Sequence, residues 1–176
     1  MEFQTPNFIT REMWDASAPT NSYFPQIPKS IIFHHYGFAS YDANIPMTKY
    51  FNGDSSIRLL QHNSVHKDGL IDIPFHFIIA PNGDIYEGRP CDVMGKHCMM
   101  YDKGSIGIMC YGNFNSESLP AEMRISIVWL VRKLAHDYRT IEVPKNIFCH
   151  RDKEFTSCPG ANLYAFIQRM KSKCQF

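Results

Sequence analysis

Hydrophobic residues recur along this chain at two spacings, and the switches between them lay out its elements. Ile31-Ile32-Phe33-His34-His35-Tyr36 reads as a buried strand. Period-two alternation puts Ile32, His34 and Tyr36 on one face and Ile31, Phe33 and His35 on the other. From Met47 to His66 the spacing turns helical, with a partial stripe at Ile57, Leu60, Gln61 and Ser64 and a break at Asn52-Gly53. Ile73 to Ala80 is a second strand-like run. Pro81-Asn82-Gly83-Asp84 separates it from Ile85-Tyr86-Glu87-Gly88, and Asn-Gly between two such runs predicts a hairpin. Ser105 to Gly112 is a further buried strand, in which Gly107 leaves room for a close approach. Met123, Ile127, Leu130, Val131, Leu134 and Tyr138 share one side of an amphipathic helix, with Ser118 as its expected N-cap and Pro120 in its first turn. Ile147 to His150 is a short strand. Gly160 to Lys173 is a last helix, facing inward through Leu163, Phe166, Ile167 and Met170.

Strands alternating with helices predict an α/β fold: a single domain with a mixed central β-sheet flanked by helices. Residues 1–30, broken by Pro6, Pro19, Pro25 and Pro28, are expected to be an irregular segment packed on a domain spanning 31–176. Within them Thr10 is placed to cap a single turn and present Trp14 to the core. Gly37 to Pro46 reads as a loop. Residues 89–104 read as a long one, and long loops inside compact domains are often functional.

Composition narrows the function classes. The 176 residues suit one domain, and 44% hydrophobic with 20% charged residues is ordinary for a globular protein. Lys and Arg number 18 against 17 Asp and Glu, so the net charge of +1 provides no field for nucleic acid. No apolar run reaches the length of a membrane span. Met1 to Pro6 lacks the basic start and apolar middle of a signal peptide, so synthesis as a cytoplasmic protein is expected. The six cysteines are then expected to be free thiols. A monomer is expected.

The candidate chemistry lies in His150-Arg151-Asp152-Lys153-Glu154-Phe155-Thr156-Ser157-Cys158-Pro159-Gly160. An imidazole and a thiol stand near each other there, at a spacing no zinc finger uses. A metal site built on them must borrow another ligand from far away, and His34-His35 is the best lender. Two histidines and a cysteine match the ligand count of a catalytic zinc, with a fourth position left for water. Alternation sends His34 and His35 to opposite faces, so one site takes only one of them. A metal-free reading uses Cys158 as a nucleophile at a predicted helix N-terminus with His150 as its base, and leaves His34 without a part.

Several blocks, in order, resemble the zinc-dependent N-acetylmuramoyl-L-alanine amidases of type 2, which share their fold with the animal peptidoglycan recognition proteins. They are Thr10-Arg11-Glu12-Met13-Trp14, Ile32-Phe33-His34-His35, Pro74-Phe75-His76-Phe77-Ile78-Ile79, Tyr86-Glu87-Gly88-Arg89-Pro90, Gly95-Lys96-His97-Cys98 with Ser105 to Ile108 and Gly112-Asn113-Phe114, and His150-Arg151-Asp152 with Thr156 to Gly160. The resemblance implies zinc held by His34, His150 and Cys158, with Thr156 helping to stabilise the oxyanion. It implies hydrolysis of the amide between N-acetylmuramic acid and L-alanine in peptidoglycan or muropeptides. It leaves His35 and His76 as hydrogen-bonded core residues. A route to the cell wall without a leader would be lysis or a dedicated secretion system.

The chain departs from the family where a proton must move. Members commonly use a tyrosine on the central strand or a glutamate on the strand after the long loop. Here those positions read Phe75 and Met109, which transfer no proton. His97 is the preferred stand-in, with Asp102 and His76 also near. The second function class is therefore a peptidoglycan-binding module that keeps zinc and lacks efficient catalysis.

Overall fold

In the computed structural model, described for residues 5–38, 42 and 44–176, six strands form one mixed sheet. They are β1 (Phe8–Ile9), β2 (Ser30–His35), β3 (Phe77–Ile79), β4 (Ile85–Glu87), β5 (Ser105–Cys110) and β6 (Ile147–Cys149). Their order across the sheet is β1-β4-β3-β5-β2-β6. Only β3 and β4 pair antiparallel among these strands, through the Asn82-Gly83 turn; the other neighbours run parallel. Gly83 takes φ +89°, a conformation that glycine adopts without a Cβ penalty. The mixed sheet flanked by helices is the fold class the sequence predicts.

Helices cover both faces. On one face α2 (Ala121–Asp137) and α3 (Ala161–Ser172) pack on Ile31, Phe33, Ile79, Ile106, Ile108 and Ile147. α2 does so through Met123, Ile127, Leu130, Val131 and Leu134, the stripe read from spacing. On the other face α1 (Gly53–His66) and Trp14 enclose Ile57, Ile73, Ile78, Tyr86 and Met109. The alternation of β2 and β5 divides these two cores, and His34 lies on the α1 face opposite Met109 in register.

Several boundaries differ from expectation. The helical run after Met47 is a 3-10 turn (Met47–Tyr50) followed by α1, so the break falls at Phe51-Asn52. Of Ile73 to Ala80 only Phe77–Ile79 is strand. Pro74 has no N–H to give a ladder, and the Ile73 carbonyl accepts instead from Arg89 Nε at 2.6 Å. Ser118 does not cap α2. Pro120 is the N-cap, in extended conformation, with no side-chain hydrogen bond. His150 leaves the strand and opens a 3-10 turn, His150–Asp152. The first thirty residues are not wholly irregular: Phe8–Ile9 adds β1 to the sheet edge beside β4. Trp14, fully buried, donates from Nε1 to the Glu87 carbonyl at 2.8 Å, and its own N–H reaches the Thr10 carbonyl at 3.2 Å. Part of the loop expected over Gly37 to Pro46, residues 39–41 and 43, lies outside the described residues.

Candidate metal centre

Three distant segments meet at the end of β2. β2 delivers His34 at its penultimate position. The 3-10 turn after β6 delivers His150. The loop that closes from Arg151 N–H onto the Cys158 carbonyl (3.0 Å) delivers Cys158 just ahead of α3. The donor atoms of His34, His150 and Cys158 all lie within 4.8 Å of one another. The Cys158 sulfur is 3.7 Å from His34 Nδ1. Two ligands at tetrahedral zinc, with bonds near 2.3 Å to sulfur and 2.0–2.1 Å to nitrogen, stand about 3.6 Å apart. The donor set and its spacing therefore fit a tetrahedral cation.

Hydrogen bonds fix which ring nitrogen each histidine offers. His34 Nε2 is 3.0 Å from His97 Nδ1, and His150 Nε2 is 2.9 Å from Glu154 Oε2. Each imidazole thus has its Nε2 engaged, and Nδ1 is left for a metal. A carboxylate or imidazole behind a ligand histidine holds its ring and raises its basicity. Burial holds the His34 pKa well below the ordinary value, with His150 and His35 adding repulsion, so His34 is neutral as a ligand must be.

His97, the expected proton carrier, is held at both ring nitrogens. It is buried, with its Nε2 3.3 Å from Ser105 Oγ. Ser105 Oγ in turn donates to the Tyr101 carbonyl at 2.6 Å. One set of protons satisfies the whole chain: His34 Nε2–H to His97 Nδ1, His97 Nε2–H to Ser105 Oγ, and Ser105 O–H to the carbonyl. Both ring nitrogens of His97 are occupied, one by His34 and one by Ser105. Its ring lies over Gly107 and Gly95, where a Cβ would collide with it. Asp102, the other loop candidate, accepts the N–H groups of His97 (2.6 Å) and Cys98 (2.7 Å), and so shapes the loop.

The remaining positions fall as follows. Thr156 stands at the lip of the site, its Oγ accepting the Cys158 N–H at 3.2 Å. Phe75 reaches the site, its ring centroid 5.3 Å from that of His34. Met109 is buried in the core beside Ile78 and His34. His35 points to the other face and accepts the Phe114 N–H at Nδ1 (3.2 Å). His76 is buried, accepting Gly107 N–H at Nδ1 and reaching the Val93 carbonyl from Nε2, each at 2.9 Å. Burial pushes the Cys158 thiol up to about 11, against lowering by a hydrogen bond from the His35 backbone and by Arg151. That runs opposite to the depressed pKa of a cysteine nucleophile. Six free thiols, including Cys158, are present and no disulfide forms among the described residues. Glu154 is the residue that reading the sequence missed. Its signal was its position four after His150, which a tight turn brings back onto the ring.

Comparison with known proteins places this site in a family context. The model of the N-acetylmuramoyl-L-alanine amidase family matches residues 24–161. Peptidoglycan-recognition protein SD of Drosophila simulans is 29% identical over 164 residues, covering 92% of this chain and 84% of that protein. The solved structure of peptidoglycan recognition protein-LE in complex with tracheal cytotoxin, a monomeric diaminopimelic acid-type peptidoglycan, superposes with a TM-score of 0.80 at 28% identity, covering 92% of each chain. The N-acetylmuramoyl-L-alanine amidase LysC from Clostridium intestinale URNW shares the fold with a TM-score of 0.71 at 24% identity, covering 94% of this chain and 98% of that one.

Proposed function

Because the chain belongs to the N-acetylmuramoyl-L-alanine amidase family, we propose that it is a zinc hydrolase of peptidoglycan or its muropeptides, cleaving the amide between N-acetylmuramic acid and L-alanine. The observation that carries this reading is the convergence of His34, His150 and Cys158, with both Nε2 atoms engaged from behind. A chain that only needed a packed core would gain nothing from two imidazoles and a thiol at ligand spacing.

Zinc bound there supplies Lewis acidity toward the amide carbonyl and toward water. The chain's own residues do the rest. His97 and Glu154 hold the two ligand rings. Thr156 keeps a hydroxyl proton free while its oxygen accepts Cys158 N–H, and this proton can stabilise a developing oxyanion at the lip of the site. Phe75 gives the substrate an apolar wall where a hydroxyl would assist proton transfer. General acid–base help contributes about 10²–10⁴-fold, so this hydrolase is slow rather than inert.

The second reading is a peptidoglycan-binding domain that retains its zinc, and Phe75 with Met109 favours it. One experiment separates the two. Purified protein is assayed for zinc, then incubated with muropeptides before and after chelation. New L-alanine N-termini that vanish on chelation and return with zinc support the hydrolase. Bound zinc and muropeptide binding without cleavage would sink it in favour of the binding domain.

A further inference from the structure

His150 belongs to a second set of donors besides the first. Cys98, His150 and Glu154 bring a thiol, an imidazole and a carboxylate within 4.8 Å of one another, with Glu154 on the Nε2 side of the His150 ring. The Cys98 sulfur is 3.6 Å from Glu154 Oε1, and Glu154 Oε2 is 2.9 Å from His150 Nε2. A thiolate and a carboxylate on one tetrahedral zinc ion stand about 3.6 Å apart. The nitrogen–oxygen pair needs to open by only about 0.5 Å from its hydrogen-bond length to reach the corresponding separation.

We infer that Cys98, His150 and Glu154 form a second zinc site, sharing His150 with the first. The sharing rests on the reading of His150 as a ligand of the first site; the second donor set stands without it. Cys98 is rigidly placed: it is buried, and its N–H is pinned to Asp102. Glu154 has a side chain 30% exposed, which leaves a path for an ion and its remaining water ligands. Mixed sulfur, nitrogen and oxygen donors suit zinc over calcium or magnesium. Filling the site releases the Cys98 thiol proton to solvent. With both sites filled, the Nε2 proton of His150 leaves as well and the ring bridges two ions as an imidazolate. Glu154 then ligates an ion instead of holding the His150 N–H, so excess zinc alters the first site through the shared ring.

The test is metal stoichiometry of the full chain, read without substrate, so that an inactive protein tests it equally well. Metal-free protein is titrated with Co²⁺, and sulfur-to-cobalt charge-transfer absorbance is followed. Each site carries one thiolate, so the band should grow through two equivalents, and equilibrium dialysis should return two zinc ions per chain. Saturation at one equivalent that survives Cys98→Ser overturns the proposal; one equivalent that Cys98→Ser abolishes keeps the second site and removes the first. Cys98→Ser should bring both readouts to one equivalent; persistence of the second equivalent would place the ion elsewhere and overturn it too. Glu154→Gln, at a more exposed position, should also lose the second equivalent and guards against a Cys98→Ser protein that fails to fold. His34→Ala should lose the first equivalent, and that outcome tests the first site separately.

Discussion

His97 stands directly behind His34, with Nδ1 of one ring 3.0 Å from Nε2 of the other. The pair fixes the tautomer in which His34 offers Nδ1 toward Cys158. Ligand histidines lose about 10–100-fold in metal affinity when such a partner is removed. His97→Ala should therefore weaken zinc by that factor, measured by competition with a chromophoric chelator. A drop in turnover with zinc affinity unchanged would mean instead that His97 meets the substrate.

Phe75 is the place to restore a lost group. Its ring already lies against that of His34, so Phe75→Tyr adds a hydroxyl without moving the ring. Muropeptide cleavage by the zinc-loaded variant should rise at least about tenfold, toward the 10²–10⁴ range of general acid–base help. The rate of appearance of L-alanine N-termini measures it. An unchanged rate, with zinc and muropeptide still bound, would favour the binding domain. Met109→Glu is the poorer route, because Met109 is 1% exposed and a carboxylate there would be desolvated among Ile78 and Tyr86.

What the sequence disclosed about this site was the part written in local pattern. Alternation along Ile31 to Tyr36 separates His34 from His35, and the structure sends them to the two faces it implies. Gly107 reads as a position of close approach, and the ring that approaches is His97. The part His97 plays was not legible. Its two partners, His34 and Ser105, sit on different strands, and only the sheet order brings them to one ring. Phe8–Ile9 is too short to show a period, so β1 appears only through its pairing with β4. The trimmed run after Ile73 was hidden for a similar reason: the Arg89 side chain, not the local propensity, takes the Ile73 carbonyl.

His76 should make stability depend on pH. Burial lowers its pKa from 6.5 to about 4, with Arg89 lowering it further and the Val93 carbonyl opposing. Its Nδ1 accepts a backbone N–H, so the folded ring must stay neutral. Below pH 6.5 the unfolded chain takes up a proton that the folded one refuses, so stability falls as pH drops and levels off below pH 4. The full effect is on the order of 3 kcal/mol. Urea midpoints between pH 7 and 4 should show this loss, and His76→Gln should flatten part of the slope. An equally steep slope in the variant would assign the effect to other groups, with His35, lowered to about 4 mainly by burial, the first to examine.

Asp72 ties the N-terminal segment to the domain. Its side chain is fully buried and accepts from Gln61 Nε2 (2.6 Å), its neighbour Ile73 N–H (2.7 Å), the Tyr23 hydroxyl and Arg11 (2.9 Å). Two of these partners, Arg11 and Tyr23, come from the segment before β2. Removing one member of a buried ion pair leaves the other uncompensated and costs about 3–5 kcal/mol. Arg11 is 19% exposed and keeps its bonds to the Ser17 and Gly88 carbonyls, so Asp72→Ala should lose about 3 kcal/mol, at the low end. Arg11→Ala should cost less, because Asp72 retains three neutral donors. Urea unfolding of both single variants and the double variant would give the coupling, expected at about 1–2 kcal/mol for groups in direct contact. Additive losses would mean that Asp72 serves the Gln61 and Ile73 bonds alone, and that the N-terminal segment is held by Trp14 and β1.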